Sequence, residues 1–204
     1  MRGRFITIEG IDGAGKSSHL AYIADRAREK GVHVVETREP GGTKLGEALR
    51  SIVLHEPMQV RTEACLMFGA RSEHIAKVIE PALAAGEWVV CDRFTDSTYA
   101  YQCGGHGLPL AVFEALSRVV EPVPVPDATF LFDVDPEVAA GRQRAANREP
   151  DRFEREQVDF FRRVRAAYLE RARESNGRIH VVDAAGSFEQ VRAALDRALA
   201  PVLA

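Results

Sequence analysis

The residues from Gly10 to Ser17 combine glycines, a lysine and a hydroxyl at a spacing that suits phosphate chemistry. They read GIDGAGKS and match the pattern G-x-x-x-x-G-K-[ST], between an apolar run and a helix predicted to start near Lys16. Glycines let the backbone turn with its N–H groups pointing inward, and the helix amino terminus adds positive potential. Lys16 can reach the outer phosphates, and the Ser17 hydroxyl suits Mg²⁺. The loop therefore predicts a nucleoside triphosphate site.

Two arginines follow predicted strands, at the edge where open α/β sheets bind ligands. Arg38 comes after VHVVET and Arg93 comes after WVVCD. Because a planar guanidinium group matches phosphate oxygens bidentately, the pair could clamp a second phosphate. This favours a kinase with a phosphorylated acceptor. A GTPase switch is disfavoured because the guanine-reading pattern N-K-x-D does not occur, and a non-catalytic nucleotide sensor stays open.

Composition limits the other partners of the chain. The 204 residues carry a net charge of -3 and a pI near 6.1, which argues against binding to a nucleic-acid backbone or an anionic membrane. The cysteines are widely spaced and form no C-x-x-C pair, so neither a disulfide framework nor a zinc site is indicated. No run is long and apolar enough to span a membrane, and no signal peptide is recognised. We therefore expect a soluble cytoplasmic protein.

Strand-like and helix-like segments alternate along the chain. Five β-branched or aromatic runs predict strands: 5–9, 32–37, 88–92, 128–134 and 178–184. Apolar residues at three- and four-residue steps predict helices over 75–83, 158–169 and 188–199, and a further helix begins near Pro136. Residues 121–128, EPVPVPDA, predict an extended connector. This alternation predicts an α/β fold, a single domain over 1–204 with a parallel sheet covered by helices on both faces.

Four stretches together resemble one enzyme family. EGIDGAGKSS, TREPGGT, CDRFTDSTYAYQ and DRFE occur in the order and spacing seen in bacterial thymidylate kinases, and the likeness covers essentially the whole chain. The resemblance implies a three-layer P-loop kinase fold with a five-stranded parallel sheet and a short mobile lid. It implies the reaction of ATP with dTMP to give ADP and dTDP, a need for Mg²⁺, and a homodimer.

The resemblance also assigns residues to the ATP side. ATP-binding positions are Gly10, Gly13, Ala14, Gly15, Lys16, Ser17, Ser18 and Arg144. The metal positions are Ser17 and Asp92, and Asp12 faces the acceptor sugar or a metal-bound water. Arg142, Arg144, Arg148 and Arg152 lie in a predicted lid over 141–152, which lacks apolar periodicity and which, by the resemblance, supplies a catalytic arginine. The first choice for that arginine is Arg148 and the second is Arg144.

On the dTMP side the resemblance makes Arg38 and Arg93 hold the phosphate. It assigns base and sugar contacts to Asp12, Phe68, Arg71, Thr98, Tyr101 and Gln102. Phe68 is expected to stack on the base, although the commoner family form has its aromatic residue four positions before the arginine, which is Met67 here. Tyr101 is expected to crowd the sugar 2′ position. The catalytic set is then Lys16, Arg93, Arg148 and Asp12.

Two alternatives fit the same motifs. A deoxynucleoside kinase or another monophosphate kinase would share the loop and the lid, but a nucleoside acceptor would need no Arg38 and would need a general base. A binding module that no longer turns over would keep the fold. Intact Lys16, Ser17 and Asp92 argue against such a module.

Overall fold

Five parallel strands form one sheet in the computed structural model, which describes residues 2–120, 124–145 and 151–203. The strands are β1 (Phe5–Glu9), β2 (Val34–Arg38), β3 (Trp88–Asp92), β4 (Ala128–Asp133) and β5 (Ile179–Asp183). Their order is β2-β3-β1-β4-β5, with the register Ile6 opposite Val90 and Ala128. Strand β1 is therefore central, and the loop that follows it leaves the middle of the sheet.

Helices surround the sheet. They are α1 (Ser17–Arg28), α2 (Lys44–His55), α3 (Val60–His74), α4 (Glu80–Ala84), α5 (Thr95–Thr98), α6 (Leu110–Val119), α7 (Pro136–Ala145), α8 (Val158–Glu174) and α9 (Phe188–Leu203). Two π-helical segments, Ile75–Ile79 and Tyr99–Gly105, extend α3 and α5. Among the described residues, none of these helices is long and apolar enough to cross a bilayer.

Side chains of β1 alternate between two cores because successive residues of a strand face opposite sides of the sheet. Ile6 and Ile8 belong to a cluster with Ile23 of α1, whereas Phe5 belongs to a second cluster with Ile79. All five residues of β1 are buried. The predicted α/β fold with a parallel five-stranded sheet is confirmed.

Some boundaries differ from the predictions. Strand β2 begins at Val34, two residues after its predicted start, because residues 32–33 precede the ladder with β3. The sequence patterns do not predict helices α2, α5 and α6. Residues 141–145 continue helix α7, so the first part of the predicted lid is helical, which differs from the expectation. Residues 124–126 of the predicted connector have no regular structure, and 121–123 lie outside the described residues.

Candidate active site

The loop between β1 and α1 is shaped by glycines at points of close backbone approach. Gly10 has φ 138°, and a Cβ there would lie 2.5 Å from the carbonyl oxygen of Phe132. Gly13 has φ 84°, and its Cβ would lie 2.5 Å from the carbonyl oxygen of Ala139 in α7. A side chain at either position would clash with backbone. The loop is thus wedged between the end of β4 and α7.

Lys16 points back into this loop. Its side chain is buried, and Nζ donates to the carbonyl oxygens of Gly10 at 2.9 Å and Ile11 at 3.0 Å. Burial and the nearby charge of Arg93 lower the pKa of Lys16, and Asp12 opposes them. A buried ammonium group held only by carbonyl oxygens is suited to an anionic ligand. Ser17 and Ser18 lie exposed in the first turn of α1, where free N–H groups favour phosphate.

Asp92, at the end of β3, has an unused oxygen. Its Oδ1 atom is buried and has no hydrogen-bond partner among the described residues, and Asp92 lines the same cleft as Ser17. In the described part of the chain, no three His, Cys, Asp or Glu side chains come together as a metal site. Magnesium ions at phosphate sites take one or two protein ligands and complete their shell with phosphate and water. An unpaired carboxylate oxygen beside a hydroxyl fits that donor set.

Asp12, Arg93 and Tyr101 form the centre of the site. Arg93 Nη2 donates to Asp12 Oδ1 at 2.6 Å, and the Tyr101 hydroxyl donates to Asp12 Oδ2 at 2.8 Å. Burial would raise the pKa of Asp12, but Arg93 and Lys16 outweigh it and hold the pKa at about 2. Burial alone would lower the pKa of Arg93, yet Asp12 keeps it well above its ordinary value. Both groups are therefore charged throughout the physiological range.

Glu9, which the sequence analysis did not select, lies directly beneath this centre. It is fully buried and accepts from the backbone N–H of Phe94 at 2.7 Å and from the hydroxyls of Ser97 and Tyr168. Arg93 Nη1 donates to the same two hydroxyls, at 3.1 Å and 3.3 Å. Burial and the charge of Asp96 raise the pKa of Glu9 to about 7. Glu9 thus supports the residues that orient Arg93.

A second cavity adjoins the loop, and we call it the acceptor pocket. Its lining combines the charged side chains of Asp12, Arg50 and Arg93, the aromatic and apolar side chains of Met67, Tyr101 and Phe153, and the polar side chain of Gln102. A pocket lined by both cationic groups and rings suits a phosphorylated aromatic compound.

Arg50 is a further residue that the sequence analysis missed. It lies in α2, and its Nη1 atom donates to the carbonyl oxygen of Pro40 at 3.1 Å. Burial, Arg38 and Arg93 all lower the pKa of Arg50. Cations crowd together in this way where an anion is expected to neutralise them. No local signal marks Arg50, because Glu47 three residues earlier suggests an ordinary surface ion pair.

A buried polar network adjoins Gln102 and Pro40 of the acceptor pocket, and we call it the inner end of the site. Glu39 accepts from Arg71 Nε at 2.8 Å and is joined to His74 Nδ1 at 2.9 Å, while Arg71 Nη2 donates to Thr98 at 2.9 Å. Gln102 Nε2 donates to Glu63 at 2.7 Å. Two buried atoms, Arg71 Nη1 and Gln102 Oε1, have no partner among the described residues. Buried polar groups are nearly always paired, so one donor and one acceptor here are available to a ligand.

Comparison with known proteins decides the family. The thymidylate kinase family model matches residues 8–195. A thymidylate kinase of Burkholderia mallei (strain NCTC 10229) is 57% identical over 203 residues, which cover 98% of this chain and 98% of that protein. The chain belongs to the thymidylate kinase family. Such kinases are ATP-dependent phosphotransferases.

Other thymidylate kinases support the same assignment. The protein of Bordetella pertussis (strain Tohama I) is 57% identical over 195 residues, which cover 96% of this chain and 93% of that protein. The crystal structure of thymidylate kinase from Ehrlichia chaffeensis superimposes with a TM-score of 0.78 at 33% identity, covering 98% of this chain and 99% of that one. The P-loop kinase fold implied by the sequence is thereby confirmed.

Not every predicted thymidylate kinase residue lies where it was expected. Arg38 pairs with Glu47, with Nη2 and Oε2 2.8 Å apart, and lines the cleft of Ser17 and Asp92 instead of the acceptor pocket. The expected pair of Arg38 and Arg93 is therefore not brought together in that pocket, which has Arg50 beside Arg93. The carboxylate of Glu47 draws Arg38 aside.

Phe68 also lies away from the acceptor pocket. It is 2% exposed and packs in a core cluster with Ala64 and Phe113, with the two phenylalanine rings 5.6 Å apart. Met67 lines the pocket instead. Adjacent helical residues differ by about 100° in direction, so one residue position separates pocket from core. The structure does not support Phe68 as the stacking ring, because α6 covers it.

The remaining predicted residues divide between the pocket and its surroundings. Tyr101 and Gln102 line the acceptor pocket, whereas Thr98 is buried behind it and accepts from Arg71. Arg148 lies outside the described residues. Arg144 is exposed in the last turn of α7, and Arg142 donates to the carbonyl oxygens of Ala184 at 2.9 Å and Ala185 at 3.3 Å.

Proposed function

We propose that this chain transfers the γ-phosphoryl group of ATP to dTMP, giving ADP and dTDP, in the cleft between the loop Gly10–Ser17 and the acceptor pocket. The observation that carries the proposal is the unpaired donor and acceptor at the inner end of the site, next to the pocket that Arg50 and Arg93 line. Arg71 Nη1 can donate to O4 of thymine, and Gln102 Oε1 can accept from N3–H. Met67 and Phe153 flank the space for the ring.

On the donor side, the loop N–H groups, Lys16, Ser17 and Ser18 bind the ATP phosphates, with Gly10, Gly13, Ala14 and Gly15 shaping the loop. Lys16 exchanges its two carbonyl partners for phosphate oxygens when ATP binds. Arg142 of α7 donates to the carbonyl oxygens of Ala184 and Ala185, which holds these two residues beside α7. They are candidates for contact with the adenine end of ATP.

On the acceptor side, Arg93 and Arg50 bind the dTMP phosphate, and Arg38 joins them when the anion releases it from Glu47. Arg93 is held by Asp12, Ser97, Tyr101 and Tyr168, so its guanidinium is ordered before substrate arrives. Positioning of this kind supplies much of the catalysis of phosphoryl transfer, because the acceptor oxygen is already anionic.

Ser17 and Asp92 are the residues that would hold Mg²⁺. The unpaired Oδ1 atom of Asp92 supports this assignment. The ion would neutralise charge on the transferring phosphates. Asp12 is engaged by Arg93 and Tyr101 and lines the acceptor pocket, which supports its assignment to the acceptor sugar rather than to the metal.

An arginine of the lid completes the catalytic set in this proposal. Arg148 is the first choice and Arg144 is the second, and one such arginine on the transferring group is worth about 10³–10⁵ in rate.

A cytoplasmic homodimer is also proposed from the family. Leu45 on α2 and Leu110 on α6, 51% and 50% exposed, give apolar surface for contact, and light scattering after gel filtration tests the assembly.

A panel of acceptors tests the proposed reaction. With ATP and Mg²⁺, release of ADP should require dTMP and should be much slower with dCMP, dGMP or thymidine. Turnover of thymidine without turnover of dTMP would overturn the proposal in favour of a nucleoside kinase. No turnover with any acceptor would favour the non-catalytic module.

A further inference from the structure

Glu63 occupies an unusual place for an acidic side chain. It lies in α3 and is 1% exposed, and it is not among the described residues that line the acceptor pocket. Its Oε1 atom accepts from Gln102 Nε2 at 2.7 Å, and its Oε2 atom accepts from Arg152 Nη2. His106 Nε2 lies 4.0 Å from Oε1. The described contacts of Glu63 therefore join a pocket residue to Arg152, in the DRFE segment at the end of the predicted lid.

The chemistry of Glu63 decides which way the Gln102 amide points. An ionised carboxylate beside a guanidinium group can only accept hydrogen bonds. The NH₂ group of Gln102 must then face Glu63, and the amide oxygen must face away from it. That oxygen is the buried, unpartnered acceptor of the pocket.

Arg152 holds the carboxylate in place from the other side. Its Nε atom donates to the carbonyl oxygen of Val53 at 3.1 Å, and its guanidinium lies over the Phe153 ring, 4.4 Å from the centroid. The neighbouring residues Asp151 and Phe153 line the acceptor pocket. The DRFE segment thus carries both a wall of the pocket and the cation that orders Glu63.

We propose that Glu63, held by Arg152, is a positioning residue that makes the pocket select bases with an N–H donor at N3, by fixing the Gln102 amide oxygen toward the base. Thymine and uracil present that donor. Cytosine presents an acceptor at N3 and would leave two acceptors facing each other. This inference rests on the proposed function and adds the residue that sets its base selectivity.

The variant Glu63→Gln inverts the predicted hydrogen-bond direction while preserving size. Arg152 can only donate, so the oxygen of the new amide turns to Arg152 and its NH₂ group turns to Gln102. Gln102 must then offer its oxygen to residue 63 and its NH₂ group to the base. The ratio of kcat/KM for dCMP to that for dTMP is expected to rise about 10- to 100-fold, since a mispaired buried group is costly.

Two controls separate this effect from general damage. The substrate dUMP has the same N3–H and O4 as dTMP, so the dUMP to dTMP ratio should not change in the variant. Asp96→Asn neutralises another buried carboxylate, 4% exposed, that accepts from Arg171 and Arg178 away from Gln102. It should lower stability and leave the dCMP to dTMP ratio unchanged.

The exchange Glu63→Gln with Gln102→Glu provides the second test and keeps the net charge. The amide at 63 then donates to the carboxylate at 102, whose other oxygen faces the base, so the preference for dTMP over dCMP should return. A folded Glu63→Gln variant with the wild-type ratio would overturn the proposal, as would an exchange variant that prefers dCMP.

If Glu63→Gln does not fold, the preference of the exchange variant between dTMP and dCMP tests the proposal by itself. These outcomes are distinct from failure of the proposed function, which would appear as a wild-type chain that does not phosphorylate dTMP.

Discussion

The triphosphate loop and the inner end of the site, the buried polar network beside the acceptor pocket, are built in opposite ways. The loop is a run of consecutive residues, Gly10–Ser17, that offers backbone N–H groups and one lysine. The inner end is assembled from side chains of separate elements, such as Arg71 of α3 and Glu39 after β2, in a fully buried ionic network. The loop can lose Lys16 without breaking an ion pair among the described residues. A side chain of the inner end cannot be removed in the same way, because its selectivity groups are also core residues.

The largest effect is expected where the loop meets ATP. Lys16→Met should lower kcat by about 10³-fold, because one charge-stabilising donor to the transferring phosphates is lost. The unfolding free energy should change little, since Lys16 bonds only two loop carbonyls. A coupled ADP assay and urea unfolding measure the two quantities. A variant that loses stability in step with activity would contradict the contrast between loop and inner end.

The buried acids sharpen the same contrast. Glu39 and Glu63 each accept from a guanidinium group, whereas the described hydrogen-bond partners of Glu9, at the start of the loop, are uncharged. The pKa of Glu9 is raised from 4.5 to about 7, so the folded state binds its proton more tightly than the unfolded state does. Ionisation of Glu9 therefore destabilises the folded state relative to the unfolded state. This destabilisation is absent below pH 4.5, is complete above pH 7 and amounts to about 3 kcal/mol.

Glu9→Gln should remove this part of the pH dependence. Wild-type unfolding free energy should fall relative to the variant by about 3 kcal/mol between pH 4.5 and pH 8, as measured by urea unfolding. Glu47→Gln is the control, because Arg38 lowers the pKa of Glu47 and its titration lies below this window. Equal slopes for wild type and Glu9→Gln would show that Glu9 stays ionised.

Arg50 tests the cationic groups that line the acceptor pocket. Arg50→Gln should lower kcat/KM for dTMP by about 10- to 100-fold, since a charged hydrogen-bond donor to phosphate is lost. KM for ATP should hold. The unfolding free energy should hold or rise, because repulsion from Arg38 and Arg93 is relieved. Arg26→Gln, at an exposed pair with Glu29, is the matched control. An equal loss of kcat/KM for dTMP in Arg26→Gln would contradict the assignment of Arg50 to the dTMP phosphate.

The smallest effect separates Met67 from Phe68. Phe68→Leu should reduce the unfolding free energy by about 1 kcal/mol and leave KM for dTMP unchanged, because the ring packs on Phe113. Met67→Leu should change KM for dTMP a few-fold with little effect on stability. Urea unfolding and initial rates measure both. A raised KM in Phe68→Leu would restore the original stacking assignment.

The sequence predicts most reliably what is contiguous. The loop and the buried strands β1 and β3 are local patterns, and the structure has them at the predicted positions. Glu63 and Arg152 are 89 residues apart, and no period along either helix or loop connects them. The roles of Arg50 and Phe68 could not be predicted from the sequence for a related reason. Their roles depend on which face α2 and α3 present to Arg93 and to α6, and packing sets those faces.

The central position of β1 has a consequence for how motions spread through the molecule. Its amides are hydrogen-bonded between β3 and β4, so they should be among the last to exchange with deuterated solvent. The edge strands can open locally while that backbone stays closed. The triphosphate loop thus follows directly on the slowest-opening strand of the sheet. It can keep its structure while the edge strands β2 and β5 open transiently.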